Sequence, residues 1–386
     1  MRFAFVSTMD TSPWGGSEEL WSQAAAQLKL NKHDVKASTM YWPQPPKALT
    51  ALAQRGIGVE TYPSPGNISG RARHLWDQLS LGTRRSYARL GEFHPDLAII
   101  SQGGNSGGFG WAKICRAAAI PYVVIVHCNS EQWWFGDRFE EAVASYTGAR
   151  KVFCVSRTNL EMLGLQLGEP LLNGELVWSP YNVSTEPPPA WPDEHGSLRL
   201  ACVSRIELAA KGQDVLLQTL ARPEWRDRLP EVNLYGVGPD EVVLRRLCET
   251  LRLSNVHFRG YVKDIREIWA QNHLLVLPSR YEGLPLALIE AMWCARPALV
   301  TNVGGNAELC VDGATGFVSE TATVASVSRA LQRAWESREE WPRLGQAARE
   351  RVENQVPRDP VGLFCDRLLA CAVASQSGQA ARSLKR

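Results

Sequence analysis

Short apolar, β-branched runs alternate with segments of helical period along almost the whole chain. That alternation restricts the fold more than any other feature. In the first half F-A-F-V-S, D-V-K-A-S-T, L-A-I-I-S, Y-V-V-I-V-H and V-F-C-V-S are separated by segments such as E-E-L-W-S-Q-A-A-A-Q-L. Nearly continuous apolar strands between helices predict parallel sheets covered on both faces. The pattern breaks at residues 183–197, V-S-T-E-P-P-P-A-W-P-D-E-H-G-S, where the proline density predicts a semi-rigid linker. It restarts with L-R-L-A-C-V-S-R, V-N-L-Y-G-V-G, V-H-F-R-G-Y-V, H-L-L-V-L-P-S and R-P-A-L-V-T as strands. The expectation is α/β: two Rossmann-like, doubly wound parallel-sheet domains, 1–182 and 198–360, facing a cleft. Residues 321–374 read as helical, and the polar tail 375–386 as disordered.

A length of 386 residues suits two cores better than one. Hydrophobic content of 45% and charged content of 21% are those of an ordinary globular protein. A net charge of +2 argues against a nucleic-acid partner. No apolar run approaches the roughly 18 residues of a membrane span. The opening M-R-F-A-F-V-S is too short for a signal peptide and reads as a strand, so a cytoplasmic location is expected. Nine cysteines form no C-x-x-C pair and read as buried, reduced thiols, so neither a zinc site nor a redox pair is expected.

In open α/β sheets ligands bind beyond the carboxyl ends of the strands. After the first strand comes S-P-W-G-G-S-E-E-L, in which Gly15 and Gly16 precede a helix with Ser17 as its candidate cap. After L-A-I-I-S comes the glycine-rich Q-G-G-N-S-G-G-F-G-W, read as a ligand-facing loop. His127 ends Y-V-V-I-V, where a structural and a ligand-facing imidazole are both open. In the second half Arg205 and Lys211 flank a strand-to-helix loop, a pairing apt for a diphosphate; two solvated cations are the alternative. In S-R-Y-E-G-L-P-L-A-L-I-E-A-M, Gly283 admits close approach and Pro285 suits a first helical turn. Glu282 precedes that helix and Glu290 lies on it. Two carboxylates flanking a helix start fit the hydroxyls at the two ends of a nucleotide sugar; a capping Glu282 and a surface Glu290 are the alternative.

The stretch E-G-L-P-L-A-L-I-E resembles the E-x7-E motif of retaining glycosyltransferases of the GT-B fold, family 4. The segments S-R-I-E-L-A-A-K-G-Q-D-V-L-L, L-Y-G-V-G-P-D-E and V-T-N-V-G-G-N-A-E-L-C-V-D-G-A-T-G-F-V are similar to that family's donor-domain blocks, and G-G-S-E-E-L matches near the start. The resemblance implies that Arg205 and Lys211 neutralise the diphosphate and that Glu290 binds the ribose. It implies that Glu282 contacts the transferred sugar, and that Gly283, Leu284, Pro285 and Leu286 line sugar and phosphate. It places Tyr261 and Val262 beside the base, Gly15 and Gly16 near the phosphates or acceptor, and His127 near the reacting sugar. It also implies a helix over 361–374 crossing back to the first domain, a donor carrying UDP or GDP, a hydroxyl acceptor and no cofactor; no D-x-D motif appears, and Arg205 and Lys211 can do the work of a cation, so no essential metal is expected. S-P-Y-N-V-S departs from the family's usual run: Asn182 matches, but Ser184 stands where an aspartate is usual.

Three other readings compete. A nucleotide-sugar epimerase shares the architecture. A non-catalytic glycan-binding relative would have lost part of His127, Arg205, Lys211, Glu282 and Glu290, yet all are present. A glycoside hydrolase uses paired carboxylates but has no purpose for the two cations. Residues 71–90 carry Arg71, Arg73, Arg84, Arg85 and Arg89 among Leu75, Trp76, Leu79, Tyr87 and Leu90. This basic amphipathic pattern leaves open a peripheral seat at the inner face of a membrane, against a helix packed on its own domain.

Overall fold

The computed structural model describes residues 1–63, 81–183, 186–192, 197–226, 228 and 230–383. The chain divides into two compact units, Met1–Pro180 with Asp359–Arg386 and Tyr181–Arg358. In the first unit seven parallel strands run β1 Arg2–Ser7, β2 Asp34–Met40, β3 Gly58–Tyr62, β4 Leu97–Gln102, β5 Tyr122–Val126, β6 Val152–Cys154 and β7 Gly174–Leu176. Their order is β3-β2-β1-β4-β5-β6-β7. In the second unit β8 Arg199–Val203, β9 Glu231–Tyr235, β10 Val256–Gly260, β11 Leu274–Leu277, β12 Ala298–Thr301 and β13 Gly316–Ser319 form a parallel sheet ordered β10-β9-β8-β11-β12-β13. Each sheet reverses its winding direction once, between β1 and β4 and between β8 and β11, and the crevice at such a reversal is where ligands bind.

The central strands β4, β5, β11 and β12 are buried along their whole length, as their unbroken apolar sequences require. In the first unit Val6, Ile100, Val124 and Val126 pack with Phe109, Trp111 and Tyr146. In the second, Leu200, Leu234, Val276 and Leu299 pack with Leu216, Trp225 and Leu331. Seven cysteines are buried, while Cys128 and Cys371 are half-buried; none forms a disulfide. No helix among the described residues is long and apolar enough to cross a membrane.

The proline-rich stretch differs from a free spacer. Its described part, 186–192, is bound to the second unit. Arg266 Nη2 donates to the Pro187 carbonyl (2.7 Å), Arg296 Nη2 to that of Ala190 (2.7 Å) and Arg349 Nη1 to that of Glu186 (3.3 Å). Trp191 packs edge-on against buried His273, ring centroids 5.7 Å apart. Without strand or helix partners, these backbone carbonyls are satisfied by side chains. Ser184 lies outside the described residues.

The last helix, Pro360–Ser383, belongs to the first unit, where Phe364 meets Phe153 edge-on and Arg367 Nε pairs with Glu175 (3.1 Å). Its backbone stays helical through Ser383, where the sequence reading expects a disordered tail from 375. Of the basic segment 71–90, residues 71–80 lie outside the described ones. The rest opens the helix Leu81–Phe93, whose Leu90 and Phe93 are buried and whose Tyr87 packs edge-on on Trp111 (4.7 Å). Over this part the apolar side is spent on the unit's own core.

Candidate functional site

The second unit brings together residues from the loops after β8 and β11, which are neighbours in the sheet. The chain leaves β8, forms one turn of helix at Leu208–Lys211, breaks at Gly212 with φ +63°, and continues as the helix Gln213–Leu220. Gly212 is required there, because a Cβ would run into the Pro278 carbonyl of the β11 loop. The two loops are bonded as well as packed: the Arg280 N–H donates to the Ala210 carbonyl (2.8 Å), and the Arg280 guanidinium forks onto both oxygens of Asp214 (2.8 Å each).

On this platform Lys211 Nζ lies 2.7 Å from Glu282 Oε1, and the same oxygen accepts from Ser279 Oγ at 2.8 Å. Glu282 is 5% exposed. Its carbonyl and that of Gly283 are covered by the loop after β12, where Gly304 has φ +52° and the Gly305 N–H donates to the Gly283 carbonyl (2.6 Å). The helix Leu286–Trp293 starts immediately beyond, with Pro285 as its N-cap residue, and its first N–H groups have no intrahelical partner. Glu290, one turn along, is 5% exposed and accepts the Asn182 backbone N–H at 3.0 Å. Burial pushes its carboxyl up to about 7, against a smaller opposing effect from that hydrogen bond. Glu290 is therefore no surface residue. The residue before Asn182, Tyr181, stacks on Trp293 at 5.7 Å.

Arg205 follows β8, with its guanidinium bound to Glu207 and its carbonyl held by buried Gln213 (2.8 Å). Tyr261 and Val262 follow β10 at the sheet edge. Tyr261 is 75% exposed, and no hydrogen bond among the described residues ties either one to the Lys211–Glu282 pair.

The first unit gathers its own set at the ends of β1, β4 and β5. The helix after β1 starts at Gly16 with Gly15 as N-cap in extended backbone, two positions earlier than a Ser17 cap predicts. Buried Glu18 accepts from Ser7 Oγ (3.0 Å) and Trp21 Nε1 (2.6 Å), and burial raises its carboxyl to about 7. His127 is buried, with Nε2 3.2 Å from Ser101 Oγ; desolvation lowers its pKa to about 3, so the ring is neutral at ordinary pH. The glycines after β4 have packing reasons: a Cβ on Gly107 would strike Thr8, and one on Gly108, at φ +75°, would strike Ile100. Their number alone is therefore no sign of a ligand.

The residues sequence reasoning missed are Ser279, Arg280, Asp214 and Glu18. S-R-Y-E carried a signal for the first, a hydroxyl three residues before the carboxylate it serves. Glu18 lies three residues before Trp21, on the inward side of its helix. Among the described residues, no three His, Cys, Asp or Glu side chains are grouped as metal ligands.

Residues 197–337 match the family model described as glycosyl transferases group 1. Among curated proteins, N-acetyl-alpha-D-glucosaminyl L-malate synthase of Bacillus anthracis is 32% identical over 123 residues, 32% of each chain. The GDP-mannose-dependent alpha-(1-6)-phosphatidylinositol monomannoside mannosyltransferase of Mycolicibacterium smegmatis is 31% identical over 144 residues, 34% of this chain and 37% of that one. These matches span about a third of the relatives' length. Among solved structures, HepE of Anabaena in complex with UDP superposes with a TM-score of 0.73 at 18% identity, over 96% of this chain and 100% of that one. Sucrose-phosphate synthase of Thermosynechococcus elongatus gives 0.70 at 18%, over 100% and 99%. The chain has the GT-B fold. Its two parallel sheets, of seven and six strands, are those of that architecture.

Proposed function

We propose that this protein is a retaining glycosyltransferase of family 4 that moves a hexose from a nucleoside diphosphate sugar to a hydroxyl acceptor. One observation carries the reading: Lys211 and Glu282 meet at the β8/β11 reversal, beside the start of the helix that bears Glu290. A cation, a carboxylate and free helix N–H groups, in that order, suit a diphosphate joined to a sugar. On this reading Lys211 exchanges Glu282 for a phosphate oxygen when donor binds, and Glu282 turns to the sugar hydroxyls. Arg205 takes a second phosphate oxygen, and Glu290 accepts from the ribose. Tyr261 and Val262 flank the base. Gly15, Gly16 and His127 serve the sugar and acceptor through backbone N–H groups and a neutral imidazole.

The acceptor oxygen bonds to the anomeric carbon as the bond from that carbon to the diphosphate oxygen breaks. The acceptor's proton passes to the departing diphosphate, whose negative charge Arg205 and Lys211 stabilise. These cations supply the charge that a metal ion supplies elsewhere, which supports a metal-independent reaction. The family match, the UDP of HepE and the GDP-mannose of the mycobacterial relative support a UDP or GDP donor. The test is a thermal-shift screen of UDP, GDP, ADP and their common sugars in EDTA, on wild type and Glu290→Ala. A nucleotide-specific shift lost in the variant is expected. No shift with any nucleotide, in folded protein, removes the transferase reading.

A further inference from the structure

We propose that a cavity of about 660 Å³ at the carboxyl ends of β2 and β3 is a subsite for an anionic saccharide, and that the acceptor carries a carboxylate or phosphate group. The inference rests on the transferase reading and adds the acceptor's chemical class.

The cavity lies wholly in the first unit, where the chain leaves β2 as Tyr41-Trp42-Pro43 and leaves β3 at Tyr62-Pro63. The Tyr41 N–H donates to the Tyr62 carbonyl (2.8 Å), which holds the two strand ends together. Tyr62 is buried, with its hydroxyl on the Ser7 carbonyl (2.6 Å) and its ring edge-on to Trp111 (5.4 Å), so this wall is rigid. Tyr41, by contrast, is 58% exposed, and Trp42 is half-buried against the core. Aromatic faces presented beside a rigid wall suit the C–H faces of a pyranose ring, which an amphipathic aromatic side chain covers at little entropic cost.

The opposite wall is cationic. Arg85 and Arg89 project from the helix Leu81–Phe93, one turn apart. Arg89 makes a 3.5 Å contact with Glu60, while Arg85 has no ion-pair partner among the described residues. A neutral sugar gives the Arg85 guanidinium nothing to neutralise, whereas a carboxylate or phosphate accepts its forked donors. Trp42 also lines the narrow crevice formed by Ser7, Met9, Trp14 and Glu18. The cavity thus adjoins the loop that leads to Gly15 and Gly16.

Full-length protein is titrated, with saturation-transfer NMR as the readout, against a glucuronate-terminated disaccharide, glucose 6-phosphate and a glucose-terminated disaccharide. Anionic vesicles form a separate sedimentation arm at low and high salt. The acidic probes are expected to bind about tenfold more tightly than the neutral one, as one charge-assisted pair implies. Arg85→Ala should erase that preference, and Tyr41→Ala should weaken all saccharides severalfold. Both positions are exposed, so the folded state should survive either change. Equal affinity for acidic and neutral probes overturns the anionic assignment. Binding indifferent to both substitutions overturns the site. Vesicle binding without saccharide binding also overturns it, in favour of a lipid surface. A nucleotide shift in the same samples separates the two claims. If it is present while no saccharide binds, the subsite falls and the donor reading stands. If it is absent while saccharides bind, the acceptor role falls.

Discussion

Lys211 donates to Glu282 across 2.7 Å, joining two loops 71 residues apart in sequence. Both side chains are mostly buried, at 21% and 7% exposure. A pair this dry is costly to break on one side only, because the remaining charge keeps its desolvation penalty. The donor proposal requires that a phosphate take the place of Glu282 as the partner of Lys211.

Lys211→Ala should therefore lower turnover by about a hundredfold or more, the scale of losing one charge that stabilises a leaving group. Glu282→Gln should cost less, because the amide still accepts from Ser279. In a double-mutant cycle on nucleotide-sugar affinity the two losses should be non-additive. Simple additivity, measured by calorimetry, would show that the pair does not act on donor as a unit.

Glu290 should give donor binding a pH dependence. Its carboxyl is raised to about 7 by burial, so it is largely protonated at pH 5.5 and ionised at pH 8. A carboxylate accepts two hydroxyl donors better than a carboxylic acid does, so affinity should rise with pH through about 7. The gain should be roughly tenfold, and Glu290→Gln should flatten it. The probe must be a nucleotide sugar, because a terminal phosphate titrates near pH 6 itself. Glu18→Gln is the control, since Glu18 titrates in the same window from the other unit. A flat wild-type profile would exclude Glu290 from the donor.

The same shift has the opposite sign for stability. A carboxyl whose folded pKa exceeds its unfolded value binds more protons in the folded state. Its stabilising effect is complete below about 4.5 and is lost as pH rises through about 7. Urea midpoints should thus fall between pH 5 and pH 8, and Glu18→Gln with Glu290→Gln should flatten the decline. Buried neutral His127 opposes the trend below its unfolded pKa of about 6.5. A midpoint that climbs from pH 5 to 8 would contradict the burial of both carboxyls.

The sequence made the unbroken apolar strands readable because β4, β5, β11 and β12 are buried on both faces. It did not reveal the edge strands β3, G-V-E-T-Y, β7, G-E-L, and β13, G-F-V-S, which open on glycine and carry charged or polar residues. Arg205, Lys211 and Glu282 stood out as candidates because each follows a strand or precedes a helix, and Glu290 because it lies on the helix that Glu282 precedes. Their pairing was not legible, because it depends on β8 lying beside β11, and that order is non-sequential. The strap at 186–192 was read as a spacer because proline excludes helix and strand. Nothing in P-P-P-A-W announces the arginines, from 266 to 349, that bind it.

Gly212→Ala should destabilise the second unit by several kcal/mol, since the new Cβ meets both an unfavourable φ and the Pro278 carbonyl. Gly313→Ala separates the two effects: its φ is +72° but nothing lies within 4 Å of the added carbon. It should cost only the backbone part, about 1 kcal/mol. Equal urea midpoints for the two variants would mean that the β8 and β11 loops do not pack as described.

Arg296 is the test of the strap. It is 1% exposed and faces carbonyls rather than a carboxylate: those of Trp269 (3.0 Å), Asn272 (3.1 Å) and Cys294 (2.8 Å) on one side, and that of Ala190 (2.7 Å) on the other. Burial lowers its pKa to about 10, which leaves it charged at neutral pH. Its guanidinium also covers the Trp191 ring at 4.9 Å. Arg296→Met fills the volume but leaves these carbonyls unpaired, at roughly 3 kcal/mol or more. Arg296→Lys restores a charge on a single nitrogen that cannot serve both sides at once, so it should recover only part. The discriminating readout is limited proteolysis. Cleavage within 186–192 should accelerate in Arg296→Met at temperatures where the rest of the unit stays folded, because Ala190 loses its anchor first. Protection equal to wild type would mean that the prolines and the Trp191–His273 contact hold the strap without the arginine.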